Sequence, residues 1–156
     1  MILANSDDMA SDRSTLSLVL PSHIDVLDYV QVVCDELCAS ARLNEDACHW
    51  VGVSVRESVV NAIRHGNKFD SAKHVHVDFS LLPAAAPEIL EITVADEGGG
   101  FEPEDVADPL APENLLKSSG RGIFFMRNFM DEVDLTRRPE GGMAVRMRKR
   151  LAVQDA

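Results

Sequence analysis

The segment Ile89-Leu-Glu-Ile-Thr-Val-Ala95, followed at once by Asp96-Glu-Gly-Gly-Gly-Phe101, decides how this chain is interpreted. Its first part is a short apolar run typical of a buried strand, and its second part begins with two acids followed by three glycines. Because glycine has no side chain, the backbone there can turn sharply or approach a ligand closely. A carboxylate at a strand end beside bare backbone suits a nucleotide, since it can accept from a base amino group. A tight turn is the alternative for this cluster taken alone.

A helical pattern upstream, from Val53 to Asn67, places an acid and an amide on one face. Glu57 and Asn61 are four residues apart, so they are neighbours on the same side of that helix. The amide oxygen of Asn61 suits Mg²⁺, a hard cation that prefers oxygen ligands and is shared with phosphates. The pair is therefore either a general base beside a metal ligand or a solvated surface pair.

A second glycine-containing segment downstream begins another predicted helix. Gly120 and Gly122 precede the apolar run that follows, and the free N–H groups at a helix N-terminus bind phosphate. Lys117 and Arg121 are the nearest basic residues. Either could stabilise charge on a terminal phosphate, and a solvated surface role is the alternative for both.

Taken in order, these three segments resemble the nucleotide-binding motifs of the GHKL, or Bergerat-fold, ATPases. Glu57-x-x-x-Asn61 resembles the N box, and Asp96-x-Gly98-x-Gly100-Phe101 resembles the first glycine box. Gly120-x-Gly122-Ile123-x-x-Met126 resembles the second glycine box. Within this family, the tracts 57–66 and 122–133 look most like the anti-sigma-factor serine kinases of the RsbW/SpoIIAB type.

The resemblance implies a site for ATP and Mg²⁺. Asp96 would accept from the adenine amino group, Asn61 would hold Mg²⁺ against the phosphates, and Glu57 would be the catalytic base. The other residues implied in nucleotide binding belong to the two glycine boxes and their neighbours: Gly98, Gly100, Phe101, Lys117, Gly120, Arg121, Gly122 and Ile123.

The resemblance also implies an activity and partners. Such a protein binds a sigma factor, phosphorylates a serine of an anti-anti-sigma (STAS-domain) protein and commonly forms a homodimer. Two alternatives stay open: a nucleotide-binding anti-sigma module without kinase activity, and the catalytic domain of a histidine kinase. Glu57 favours the kinase, because a pure switch needs no base.

One position departs from the family pattern. The late strand of relatives often begins with Gly-Thr, and the threonine helps to hold adenine. Here the corresponding residues are Gly142 and Met143, and a thioether cannot replace a hydroxyl as donor and acceptor. We therefore expect either weaker adenine binding or transfer of this role to another group or to water.

Composition limits the partners and the location. The chain has 156 residues, enough for one domain, and a formal net charge of −11. That charge argues against direct binding of nucleic acid, which requires clustered cations, and it permits a basic protein partner. The sequence contains neither a long apolar run nor a signal-like N-terminus, so we expect a cytoplasmic protein without a membrane segment.

The periodicity predicts an α+β fold, a two-layer sandwich with a mixed, mostly antiparallel sheet covered on one face by helices. We expect a disordered tail over residues 1–13 and a single domain over residues 14–152. Within it, the proline-rich segment 102–119 would be an ATP lid. Ser22 and Asn44 are expected to cap the first two helices.

The cysteines and histidines have structural interpretations. Cys34 and Cys38 lie one helical turn apart, which predicts a buried apolar stripe and not a metal site. His74 and His76 alternate with apolar residues, as the solvent face of a strand does. For His65, packing is the expected role.

Overall fold

The structure, a computed structural model, describes residues 2–4, 12–99 and 126–152 of the chain. Residues 126–129 are helical. The remaining elements, in chain order, are β1 (Ile2–Ala4), β2 (Ser14–Pro21), α1 (Val26–Ser40), α2 (Glu45–Asn61), a π-turn (Ala62–Gly66), β3 (His74–Leu82), β4 (Ile89–Ala95), β5 (Glu132–Arg137) and β6 (Met143–Arg150).

The strands form one sheet in the order β1-β2-β3-β4-β6-β5, and each pairing described is antiparallel. Alternate residues of β3 and β4, such as Val77 and Ile92, are fully buried in a core that they share with α1 and α2. The helices thus cover one face of the sheet, and the predicted α+β sandwich is confirmed. A parallel pair, which a mixed sheet would contain, is not found among the described strands.

The opposite face of the sheet carries polar and charged side chains. Glu91 of β4 is nearly buried there, with Arg13 Nη1 3.0 Å from its Oε1 and Arg148 Nε 2.7 Å from its Oε2. Since a buried charge is tolerated when it is paired, the two guanidinium groups explain how this carboxylate sits within a sheet.

The predicted cap of α2 is confirmed and that of α1 is wrong. The Asn44 side chain accepts from the N–H of Ala47 at 2.8 Å, as an N-cap does. Helix α1 begins at Val26 after Asp25, without a side-chain cap. Ser22 is buried and donates instead to the Lys73 carbonyl at 2.6 Å, because its hydroxyl joins a long-range network.

The N-terminal prediction also needs correction. Residues 2–4, which we expected within a disordered tail, form β1 and pair with β2, with Leu3 opposite Leu16. Without β1, strand β2 would be the edge of the sheet, with backbone N–H and C=O groups open to pairing. Residues 2–4 pair with these groups. The predicted lid, 102–119, lies outside the described residues, and so does the beginning of the helix predicted after Gly120 and Gly122.

The predicted buried cysteines are confirmed, and the role expected for His65 is wrong. Cys34 and Cys38 are buried, and burial raises the pKa of the Cys34 thiol to about 12. His65 is exposed and does not pack in the core. None of the described helices is long and apolar enough to cross a bilayer.

Two valines test how strongly stability depends on this core. Val55 in α2 is fully buried, whereas Val32 in α1 is 62% exposed. We expect Val55→Ala to lower the free energy of unfolding by about 2 kcal/mol, from lost apolar burial and the cavity left behind. Val32→Ala, the same change in the other helix, should stay within about 0.5 kcal/mol of wild type. Urea denaturation measures both, and equal effects would contradict this assignment of the core.

Candidate functional site

Helix α2 and the π-turn form one wall of the candidate site. Glu57 and Asn61 are half-buried and lie one turn apart on α2, as the spacing predicted. Beyond Asn61 the helix widens, and the N–H of Asn67 donates to the Ala62 carbonyl at 2.7 Å. Such a wide turn is often found at functional sites, and here it directs the backbone of Gly66 toward the end of β4.

Asp96, directly after β4, is buried and rigidly held. Its Oδ1 accepts from the N–H of Gly98 at 3.0 Å and from the N–H of Met143 at 3.2 Å. Its own N–H donates to the Met143 carbonyl at 2.9 Å, and its carbonyl accepts from Arg138 Nη1 at 2.7 Å. Backbone donors therefore stabilise the carboxylate. The N–H and the carbonyl of Asp96 are also bonded, to Met143 and to Arg138.

Three glycines enclose this carboxylate. A Cβ atom on Gly66 would overlap Asp96 Oδ2, and one on Gly142 would overlap the Asp96 carbonyl oxygen. A Cβ atom on Gly98 would overlap the Gly66 carbonyl oxygen, and Gly142 also has a φ of +92°. Glycine is therefore required at all three positions by contacts within the protein itself. We define Gly66, Gly98 and Gly142 as the glycine cradle of Asp96.

The cradle shows what the sequence analysis missed. Gly98 was expected to give a nucleotide access, and the structure adds a contact with the protein backbone. Gly66 and Gly142 were not identified as site residues. A signal was present for each of them, since Gly66 ends a helix next to the N box and Gly142 precedes the strand that pairs with β4.

The structure explains how Asp96 is held without a threonine at position 143. The buried Met143 uses its backbone N–H to hold Asp96 Oδ1, so no side-chain hydroxyl is needed to fix that oxygen. Arg138 contributes the further bond to the Asp96 carbonyl. These bonds concern the position of Asp96, and the expectation of weaker adenine binding or of another group in the threonine's role stays a prediction.

The next residue, Glu97, binds the beginning of β3. One carboxylate oxygen accepts from the His74 N–H at 2.7 Å, and the other lies 2.8 Å from His76 Nε2, which must donate to an ionised carboxylate. The bond from His76, followed by that from the His74 backbone, holds the pKa of Glu97 below its usual range. The two histidines were predicted simply to face solvent, and this partner was missed.

The helical residues 126–129 are anchored on α2. The rings of Trp50 and Phe129 stack with centroids 4.0 Å apart and an interplanar angle of 5°. Met126 is fully buried, and the hydroxyl of Ser58 lies 3.3 Å from its sulfur. The chain that follows the second glycine box is therefore fixed to the helix that carries Glu57 and Asn61.

The structure places part of the predicted site. It confirms that Glu57 and Asn61 share a face of α2, and it brings Gly98 and Gly66 against Asp96. Asn61 offers one neutral oxygen, which fits Mg²⁺ completed by phosphate and water oxygens. The other predicted residues lie outside the described ranges: Gly100, Phe101, Lys117, Gly120, Arg121, Gly122 and Ile123.

Comparison with known proteins agrees with this geometry. A family model described as a histidine kinase-like ATPase domain matches residues 20–149. The anti-sigma F factor of Heyndrickxia coagulans is 36% identical over 104 residues, which make up 65% of this chain and 69% of that protein. The anti-sigma F factor of Bacillus subtilis strain 168 is 35% identical over 106 residues, with 65% and 68% covered.

Solved structures show the same fold. A Mycobacterium tuberculosis protein, solved as its RsbU and RsbW domains, matches 88% of this chain with a TM-score of 0.62 at 18% identity. This chain covers 32% of that longer chain. The histidine kinase domain of a blue-light activated kinase from Erythrobacter litoralis matches 84% of this chain and 61% of its own, with a TM-score of 0.53. At this identity the likeness concerns the fold alone.

Gly66→Ala tests the glycine cradle. The new methyl group would overlap the Asp96 carboxylate, so we expect a loss of about 1–3 kcal/mol in the free energy of unfolding. Gly52→Ala is the matched control in α2, where the methyl would meet the flexible end of Gln31 at 3.3 Å. Because alanine is the better helix former, this control should be neutral or slightly stabilising. Urea midpoints distinguish the two, and a neutral Gly66→Ala would contradict the cradle.

The lowered pKa of Glu97 predicts a pH-dependent contribution to stability. A carboxyl whose pKa is lower in the folded state stabilises above its unfolded pKa of about 4.3, and this is lost as pH falls through the folded value. The stability gap between wild type and Glu97→Gln should therefore narrow as pH falls from about 5 to below about 4. Denaturation curves across this range provide the measurement, and a gap that widens with acid would refute the assignment.

Proposed function

Because this chain belongs to the histidine kinase-like ATPase domain family, we propose that it is an ATP-dependent serine/threonine kinase that acts as an anti-sigma factor. The observation that supports catalysis most directly is the pair on α2, where Glu57 lies one turn from Asn61. The identities of 36% and 35% to two anti-sigma F factors support the regulatory role.

In this proposal the adenine base binds at Asp96. The bonds described for this carboxylate use Oδ1, while Oδ2 lies on the side of Gly66. A carboxylate oxygen accepts from the amino group of adenine and repels the carbonyl oxygen that guanine has at the same place. ATP is therefore preferred over GTP, and the backbone donors that fix Oδ1 keep the acceptor in position.

The phosphates and the acceptor hydroxyl lie toward Glu57 and Asn61. Asn61 would hold Mg²⁺, which would neutralise phosphate charge. Glu57 orients the serine hydroxyl and takes its proton as the new bond from oxygen to the γ-phosphorus forms and the bond to the β-phosphate oxygen breaks. Phosphoryl transfer depends mainly on positioning and charge neutralisation, so few side chains are needed.

The proposed partners follow from the anti-sigma relatives. A sigma factor would be held in the cytoplasm, a STAS-domain protein would supply the serine, and two copies of this chain would form a homodimer. The net charge of −11 favours a basic partner such as a protein with DNA-binding regions. The second candidate is an anti-sigma module that binds nucleotide without transferring phosphate, and the position of Glu57 beside Asn61 favours the kinase.

Transfer from γ-labelled ATP tests the proposal. The substrates are the STAS-domain proteins encoded by the same genome, and we expect label on a serine of one of them. Glu57→Ala should keep nucleotide binding and slow transfer by about 100-fold or more, because general-base catalysis is lost. Asn61→Ala should lose the Mg²⁺-dependent part of binding. Glu45→Ala, an exposed acid at the other end of α2, is the matched control and should transfer normally.

Two outcomes would contradict parts of this proposal. Equal transfer by wild type and Glu57→Ala would exclude Glu57 as the base. If wild type bound ATP and labelled none of the candidates, the non-catalytic module would become the better assignment.

A further inference from the structure

Asn67 connects three segments of the chain next to Asp96. Its side chain is 1% exposed, and both ends of the amide are bonded. The oxygen accepts from the Glu97 N–H at 2.8 Å, and the nitrogen donates to Ser22 Oγ at 2.9 Å and to the His74 carbonyl at 3.0 Å. This one residue therefore ties the connection after β4 to the beginning of β3 and to the connection after β2.

Glu97 also connects the segment after β4 to β3. Its backbone N–H is bound by Asn67, and its carboxylate reaches His74 and His76 on β3. The connection after β4 is thus bonded to β3 through both its main chain and its side chain. We define Asn67, Glu97 and His76 as the β3 clamp.

The β3 clamp is adjacent to Asp96 on both sides. Glu97 follows Asp96 directly, and Asn67 follows Gly66, whose backbone lies against Asp96 Oδ2. A movement of Glu97 would shift the carboxylate, and a movement of Asn67 would shift the wall beside it.

We propose that Asn67, Glu97 and His76 are positioning residues that determine base specificity, because they hold Asp96 where it selects adenine over guanine. This inference rests on the proposed function, in that an adenine nucleotide must bind at Asp96. The clamp residues act through Asp96 and make no contact with the base. Loosening the clamp lets the main chain at Asp96 shift, so the carboxylate meets the base at a changed position even though Oδ1 keeps its backbone donors. Discrimination therefore weakens more than binding does.

The expected effect differs from that of a structural residue. The side chains of Glu97 and His76 are 34% and 32% exposed, and partly exposed charge pairs contribute little to overall stability. Removing their bond should therefore leave the fold intact and affect mainly the precision of the Asp96 carboxylate. Global stability and base discrimination can thus be separated by experiment.

The test measures the dissociation constants of ATP and GTP, each with Mg²⁺, by calorimetry on the full chain. His76→Leu removes the donor to Glu97. We expect the ratio of the GTP dissociation constant to the ATP dissociation constant to fall by about three- to tenfold, the worth of one hydrogen bond. His76→Gln supplies an amide donor and should restore much of the ratio. Asp78→Leu, two residues along β3 on the same face, is the matched control and should keep the wild-type ratio. Glu97→Gln, measured in parallel, removes the charge while keeping an acceptor for the His74 N–H, and it should also lower the ratio.

The outcomes that would overturn the inference are distinct. An unchanged ratio in both folded variants, His76→Leu and Glu97→Gln, would refute the role of the clamp while the proposed function stands. An equal loss of affinity for ATP and GTP would show a structural role and would also refute it. Wild-type protein that binds neither nucleotide would overturn the proposed function and this inference with it.

Discussion

The close approach of three backbones to the Asp96 carboxylate is the constraint on which the rest of the site depends. A carboxylate that is buried must be compensated, and here the compensation comes from the N–H groups of Gly98 and Met143. Those groups can approach because Gly66, Gly98 and Gly142 carry no Cβ atom. The end of α2, the end of β4 and the start of β6 therefore depend on one another, although they are distant in sequence.

Helix α2 joins this proposed adenine-binding end to the proposed catalytic end. The same helix carries Glu57 and Asn61, continues into Gly66, and supports the chain after the second glycine box through Trp50 and Ser58. The core fixes this helix, since Val51, Val55 and Val59 line its buried side. Packing of the apolar core therefore fixes the position of α2, and with it the positions of the polar side chains that α2 carries.

Local patterns in the sequence predicted the local features of the structure. Alternation and helical periodicity predicted the strands β2 to β6 and the helix α2. Helix α1, however, begins four residues after the cap expected at Ser22, and β1 was not predicted. The features that were missed or wrong depend on contacts between distant residues. Ser22 looks like a helix cap, yet it bonds to Lys73 and Asn67, and His76 looks solvent-exposed, yet it faces Glu97. No spacing rule connects such pairs, because the fold alone brings them together.

Met143, at the position where the family resemblance implies a threonine, holds Asp96 through its backbone and not through its side chain. A backbone N–H fixes Asp96 here, and a backbone bond survives any side-chain change that keeps the strand in register. In this chain the position of Asp96 therefore depends on the cradle and on a backbone N–H, and not on a side-chain hydroxyl at position 143. Glu57 lies nine residues before Gly66, roughly 13 Å along the helix axis. At such a separation energetic effects are close to additive, so a change in the cradle should have little effect on the proposed catalytic pair on α2.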